Sequence, residues 1–147
     1  ALGPHRFDPT KSDDLQETIT YSLKNINGTP VVGDPPGSSV VNLVRDATQS
    51  LPPVGPGPTV IAENISRIEF RYLDQSGTAL ALPLVATTAK SVRSIQVSLL
   101  VRASQSDPDF NNTQTYVTPG GTVWGPFGDN FRRRFITMTI NCRNLGI

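Results

Sequence analysis

The chain is short of the residues that most chemistry requires: one cysteine and one histidine occur among 147 residues. Cys142 alone can close no intramolecular disulfide and can supply no cysteine-based metal site. His5 lies beside the N-terminus, where chain ends are poorly held. Ser-His-Asp, Cys-His and histidine–metal arrangements therefore lack the firmly placed imidazole that each needs. Charge of one sign is also lacking, since thirteen basic residues against twelve acidic ones leave a formal charge of +1. Such a balance argues against nucleic-acid binding as a property of the whole domain. No apolar run approaches the ~18 residues of a membrane span, and "ALGPHRFDPTKSDD" does not read as a signal peptide.

Glycine and proline, by contrast, are plentiful, at 12 and 13 residues. They gather at 28–37, 52–58 and 119–128 rather than spreading evenly, which is the punctuation of a β-rich domain with long loops. The length suits one domain, long enough to bury about two-thirds of its unfolded surface. Residues 1–16 read as a flexible N-terminal segment and 17–147 as one globular head.

Period-two alternation locates the strands. "ETITYSL" (17–23) and the valine-rich "SVVNLVRD" (39–46) are the first two. "NGTP" (27–30) and "DPPG" (34–37) are turns, and the Gly/Pro run from 52 to 58 is a loop. "ENISRIEFRYLD" (63–74) sets Ile68, Phe70 and Tyr72 on one face and Glu69 and Arg71 on the other. "DQSG" (74–77) then predicts a hairpin into "TALALPLV" (78–85). "AKSVRSIQVSLLVRAS" (89–104) alternates Ile95, Val97, Leu99 and Val101. Residues 104–130 read as a long loop with one short strand at 114–118. The last strand, 134–142, alternates Ile136, Met138, Ile140 and Cys142 with Phe135, Thr137, Thr139 and Asn141. No segment has the period of an amphipathic helix and no internal repeat is visible, so a mostly antiparallel β domain is expected, as two small sheets or one bent sheet.

Few constellations carry chemistry. Asp107, Asp109 and Asn111 in "DPDFN" alternate as at the start of a calcium loop, but Asn112 stands where the turn glycine belongs and Thr118 where a bidentate Glu belongs. A solvated acidic turn is the simpler reading. The acids are scattered through turns and form no catalytic pair, so an enzyme is not expected. Trp124 and Phe127 sit in the Gly-rich loop, where aromatics either mark a contact surface or tuck back over a sheet. Cys142 alternates with Ile140 and Met138 and so reads as a buried, inert thiol.

Arg132, Arg133 and Arg134 are the conspicuous charges. In an extended strand Arg133 points away from the other two, so the run forms no flat basic stripe for phosphates. Local pairing, contact with a neighbouring subunit and nucleic-acid binding all remain open on these residues alone. If Ile136, Met138, Ile140 and Cys142 face the core, Arg134 shares their inward register and must reach the rim or find a partner. Arg133 is then the exposed and replaceable one.

"ENISRIEFRYLDQSGTAL", "AKSVRSIQVSLLVRAS" and "FRRRFITMTINCRNLG" follow one another at the spacing seen in PilW-type minor pilins, which are similar to the J-type minor pseudopilins of type II secretion. The resemblance covers about residues 17–145, is strongest from Glu63 onward and is most specific in "RRRFITMTINCRN". It contains no catalytic signature. Members of that family begin with a leader peptide and a long hydrophobic helix that anchors them in the inner membrane and packs in the pilus core. The resemblance therefore implies an α+β pilin-like fold of which these residues are the mostly β head, separated from its helix. Many pilins close a C-terminal loop with a disulfide, and one thiol cannot. The implied function is that of a structural minor pilin in a priming or tip complex of a type IV pilus, with no cofactor. Its partners would be other minor pilins and the major pilin. It would sit in the inner membrane with a periplasmic head and later in the pilus at the cell surface. Alternatives are a pseudopilin, a DNA-binding pilin using the arginines with Trp124, and an adhesin head using exposed aromatics. Arg132, Arg133, Arg134, Trp124 and Phe127 are the candidate interaction residues.

Overall fold

Two turns of one design reverse the chain, and each is written as Asn or Asp followed three residues on by glycine. In the computed structural model, which describes residues 17–31, 41–49 and 58–142, Asn25 Oδ1 accepts from the backbone N–H groups of Asn27 and Thr29. Asp74 Oδ1 does the same for Ser76 and Thr78. Gly28 and Gly77 sit at φ of 79° and 80°, the left-handed region where a β-carbon is penalised. Each turn returns the chain for a single bridge, Lys24 to Pro30 and Leu73 to Ala79.

That single bridge corrects the hairpin expected over 78–85. The Leu80 N–H still donates to the Tyr72 carbonyl, but the ladder goes no further. Pro83 has no N–H to continue it, and Leu82 and Val85 are exposed. One turn of helix follows, α1 (Ala86–Ala89), too short to leave a periodic signal. The Gly/Pro turn at 34–37, residues 1–16 and 52–57 lie outside the described residues.

β1 (Glu17–Asn25), β2 (Val41–Gln49) and β3 (Thr59–Ala62) form one antiparallel sheet in that order. Val41, Leu43 and Val44 of its middle strand are buried. β3 is an addition to the sequence reading: "TVIA" is rich in β-branched residues, but it follows directly on the proline run. The remaining strands are β4 (Ile65–Leu73), β5 (Ser94–Arg102), the short β6 (Tyr116–Val117) and β7 (Val123–Trp124), and β8 (Arg133–Asn141). A second antiparallel sheet has the order β4-β5-β8, and β6 pairs with β7 as a two-stranded ribbon. The long loop thus holds two short strands where one was expected.

Register assembles the apolar alternation into a single face. Phe70, Val97 and Met138 lie side by side across the three strands, as do Tyr72, Ile95 and Ile140, and Ile68, Leu99 and Ile136. The other face carries Glu69, Arg71, Gln96, Ser98, Thr137 and Thr139, together with Leu100 and Phe135. The loop between β5 and β8 folds over this second face. Leu100 is 0% exposed and forms a core with Tyr116 and Trp124, against which Phe127 and Phe135 pack. Trp124 meets Phe135 edge-on, with ring centres 5.9 Å apart. Burying aromatic rings this size is worth about 1.5–3 kcal/mol each, which is what holds so polar a loop down.

Asn112 fastens the same loop from within. It is fully buried. Its amide donates to the Phe131 carbonyl at 3.0 Å, and its side-chain oxygen accepts from the Gln114 N–H. Its backbone N–H donates to the Asp129 carbonyl, and its carbonyl accepts from Gly128. A buried amide so fully bonded stabilises, whereas one losing its partners would cost.

Candidate functional site

The three arginines have three different fates, set by where the chain enters β8. Arg132 lies just before the strand, largely exposed. Its Nε and Nη2 both donate to Asp107 Oδ2, at 2.9 and 2.7 Å, and its guanidinium lies over the Phe110 ring. Arg133 begins the strand and turns onto the loop-covered face. Its Nη1 and Nη2 donate to the two carboxylate oxygens of Asp129 at 2.6 and 2.7 Å, and its Nε donates to Ser66 Oγ. The side chain is 0% exposed and stacks 3.8 Å from the centre of the Phe127 ring. Arg134 is exposed on the apolar face, and among the described residues nothing pairs with it.

These positions overturn the expected register energetics. Arg134 does share the face of Ile136, Met138 and Ile140, as alternation requires. That face is not the closed core, however: Met138 is 43% and Ile140 50% exposed. Arg133, expected to be the replaceable one, is the enclosed one. Cys142 is half-buried rather than buried. The physical reason is that Leu100 and Phe135 draw the aromatic loop onto the opposite face.

Electrostatics follow from the pairings. Arg133 donates to Asp129 and holds its carboxyl below the ordinary value, against an opposing effect of burial. Arg132 does the same for Asp107, helped by the Asp109 N–H. Burial lowers the Arg102 guanidinium, Arg133 beside it adds repulsion, and Asp129 offsets part of both. Arg102 also stacks on Phe131 with 4.1 Å to the ring centre, and Arg67 lies on Phe127 beside Arg133. Three phenylalanines of the loop, Phe110, Phe127 and Phe131, are thus each faced by an arginine of the sheet or its margin, an arrangement that binds loop to sheet.

The calcium reading of Asp107, Asp109 and Asn111 needs the Asp107 carboxylate, which Arg132 already engages. Among the described residues no three His, Cys, Asp or Glu side chains converge. Trp124 is 7% exposed and covers the sheet, and Phe127 is half-buried with the Arg67 and Arg133 guanidinium groups against its ring. A shallow cleft of about 270 Å³ opens beside β4, lined by Phe70, Tyr72, Leu80, Leu82 and Gly120 with Glu69 and Arg71. Glu69 accepts from the Thr122 hydroxyl through Oε2, while Oε1 is buried without a partner among the described residues. One acid and one arginine there make no acid–base pair.

Sequence reasoning did not find Asp129, which completes the Arg133 site. Its only signal was its place four residues ahead of Arg133, in a segment read as loop. Among the described residues no helix is long and apolar enough to cross a membrane.

Compared with known protein families, residues 57–144 match PilW, the type IV pilus-assembly protein W. The matched stretch runs from just before β3 through β8 and includes Arg132 and Arg133 with their aspartates. No curated protein and no solved structure matches the chain.

Proposed function

Because the chain belongs to the PilW family of type IV pilus-assembly proteins, we propose that it is a structural minor pilin acting in the priming or tip complex of the pilus. Membership itself sets the chain in pilus assembly at the cell envelope, and the family is one of assembly proteins, not of enzymes. The family match over β3 to β8 is the observation that carries the proposal. The mechanism is positional. A rigid β head, its loop bound down by Arg–Asp pairs and arginine–aromatic stacks, presents the exposed Arg134, Met138 and Ile140 to neighbouring subunits. In this reading the head is the β part of an α+β pilin fold, and an N-terminal helix ties it to the inner membrane and to the other minor pilins and the major pilin.

Pairing of Arg132 with Asp107 and of Arg133 with Asp129 supports assembly over nucleic-acid binding, since two of the three clustered cations are already neutralised. The test is to delete the coding sequence in the host cell and to capture the tagged subunit with its partners. Loss of surface pili, with other minor pilins in the eluate, is expected. Normal piliation with a defect in protein secretion would instead identify a pseudopilin and overturn the proposal.

A further inference from the structure

β8 is an edge strand, with β5 on one side and no neighbour on the other among the described residues. The bonds at its two ends fix which backbone groups face outward. The Ala103 N–H donates to the Arg132 carbonyl, and the Cys142 N–H donates to the Arg93 carbonyl. Even-numbered residues of β8 therefore bond to β5, and in an antiparallel pair odd-numbered ones turn their N–H and C=O groups away. Phe135, Thr137, Thr139 and Asn141 present those groups to the open edge, and among the described residues nothing bonds to them there.

Natural edges are guarded by lysine, proline, a bulge or a covering segment. The other edge of this sheet has such guards at both ends, since Leu73 is bridged by Ala79, Tyr72 receives a bond from Leu80, and the register of β4 shifts between Ile65 and Arg67. β8 has none: "FITMTIN" from Phe135 to Asn141 contains no charge and no proline, and its register with β5 is unbroken.

We propose that this edge pairs antiparallel with β8 of a second copy of the chain, in the register centred on Thr137. In that register Arg133 faces Asn141 of the other copy, Arg134 faces Ile140, Phe135 faces Thr139, Ile136 faces Met138, and Thr137 faces itself. No like charges meet, and all nine residues of the strand are used. Met138 is flanked by Ile136 of the other copy and Ile140 by its Arg134, and the two apolar faces join into one across six strands. The contact is isologous, as a two-fold dimer requires. One strand edge is small beside the ~1,600 Å² of a standard interface, so the association is weak and shows at high protein concentration. It does not depend on the role in pilus assembly.

Sedimentation velocity on the 147-residue chain, from micromolar to near-millimolar concentration, should show a monomer–dimer equilibrium. Thr139→Pro removes an N–H that points away from β5, so the monomer fold and melting point persist while dimerisation weakens about tenfold or more. Met138→Lys places a charge at the centre of the contact and has the same effect, which decides the matter should the proline variant misfold. In a Cys142→Ser background, Thr137→Cys should cross-link two copies under mild oxidation, because opposed residues of a bonded pair lie ~5.5 Å apart at Cα. Ile140→Cys should not, because each Ile140 faces Arg134 of the other copy. A chain that stays monomeric throughout overturns the proposal. So does a dimer indifferent to both edge variants, equal cross-linking at Ile140, or an edge that captures only a different pilus subunit.

Discussion

The Arg133 guanidinium grips both carboxylate oxygens of Asp129, four residues earlier, while the neighbouring Arg134 extends from the opposite face with no partner among the described residues. Removing Arg133 would leave a mostly covered carboxylate without its partner and the Phe127 ring without its stacked cation. Arg133→Ala is expected to destabilise the chain by about 2–3 kcal/mol, because breaking an enclosed pair leaves one charge uncompensated. Arg134→Ala should stay within about 0.5 kcal/mol. Thermal denaturation of both variants checks the contrast, and equal melting points would show the Arg133 pair to be energetically idle.

Acid should act through the same pair. The Asp129 carboxyl titrates below its ordinary 3.8 in the folded chain, first because Arg133 donates to it. A carboxyl with a depressed folded pKa contributes stability that is complete above its unfolded value and is lost as pH falls through the folded one. The melting temperature should therefore decline from about pH 4 downward, and less steeply in Asp129→Asn, whose curve starts lower at neutral pH and converges with the parent in acid. Asp107 shifts in the same direction through Arg132, but that pair is exposed and screened. Asp107→Asn should alter the profile less. Parallel curves for parent and Asp129→Asn would remove Asp129 from the acid response.

Much of this was legible in the sequence. Alternation over Ile68–Tyr72, Ile95–Val101 and Ile136–Ile140 located the three strands of the second sheet and placed their apolar residues on one face, because a strand's side chains obey a strict period of two. Which face is closed was not legible. That depends on a thirty-residue loop of weak local signal whose Tyr116, Trp124 and Phe127 reach over to Leu100 and Phe135. The clue lay in the two residues that break the pattern, an apolar Leu100 and Phe135 among polar neighbours. Asp129 was hidden for a related reason: ion pairs between a loop and a strand leave no periodicity. The short return at Ala79 was misjudged because the turn signal of "DQSG" is strong, whereas Pro83 limits the ladder four residues later.

Gly125 makes a separate test of how tightly the loop is held. Its φ is +89°, and an added β-carbon would lie 2.6 Å from the Gln114 carbonyl oxygen and 3.3 Å from the Phe127 ring. Gly125→Ala should therefore cost more than about 2 kcal/mol, through strain and collision with backbone together. Gly121 has a similar φ of +85° but open space around it, so Gly121→Ala should cost about 1 kcal/mol from conformation alone. Urea denaturation of the pair separates the two effects. Equal losses would mean that the loop yields at Gly125.

The two faces of β8 can be told apart by one substitution on each. Phe135 packs on Trp124 and Tyr116, so truncating it opens a gap in the closed core. Phe135→Ala is expected to cost about 2–3 kcal/mol, below the range for a fully enclosed ring because Phe135 is only partly buried. The environment of Trp124, the sole tryptophan, should change with it, shifting its emission to the red before unfolding begins. Ile140 lies on the other face and is 50% exposed. Ile140→Ser should leave stability within about 0.5 kcal/mol and the Trp124 emission unmoved, and it should weaken association instead. A stability loss at Ile140 matching that at Phe135 would place a closed core on the apolar face and remove Met138 and Ile140 as a docking surface.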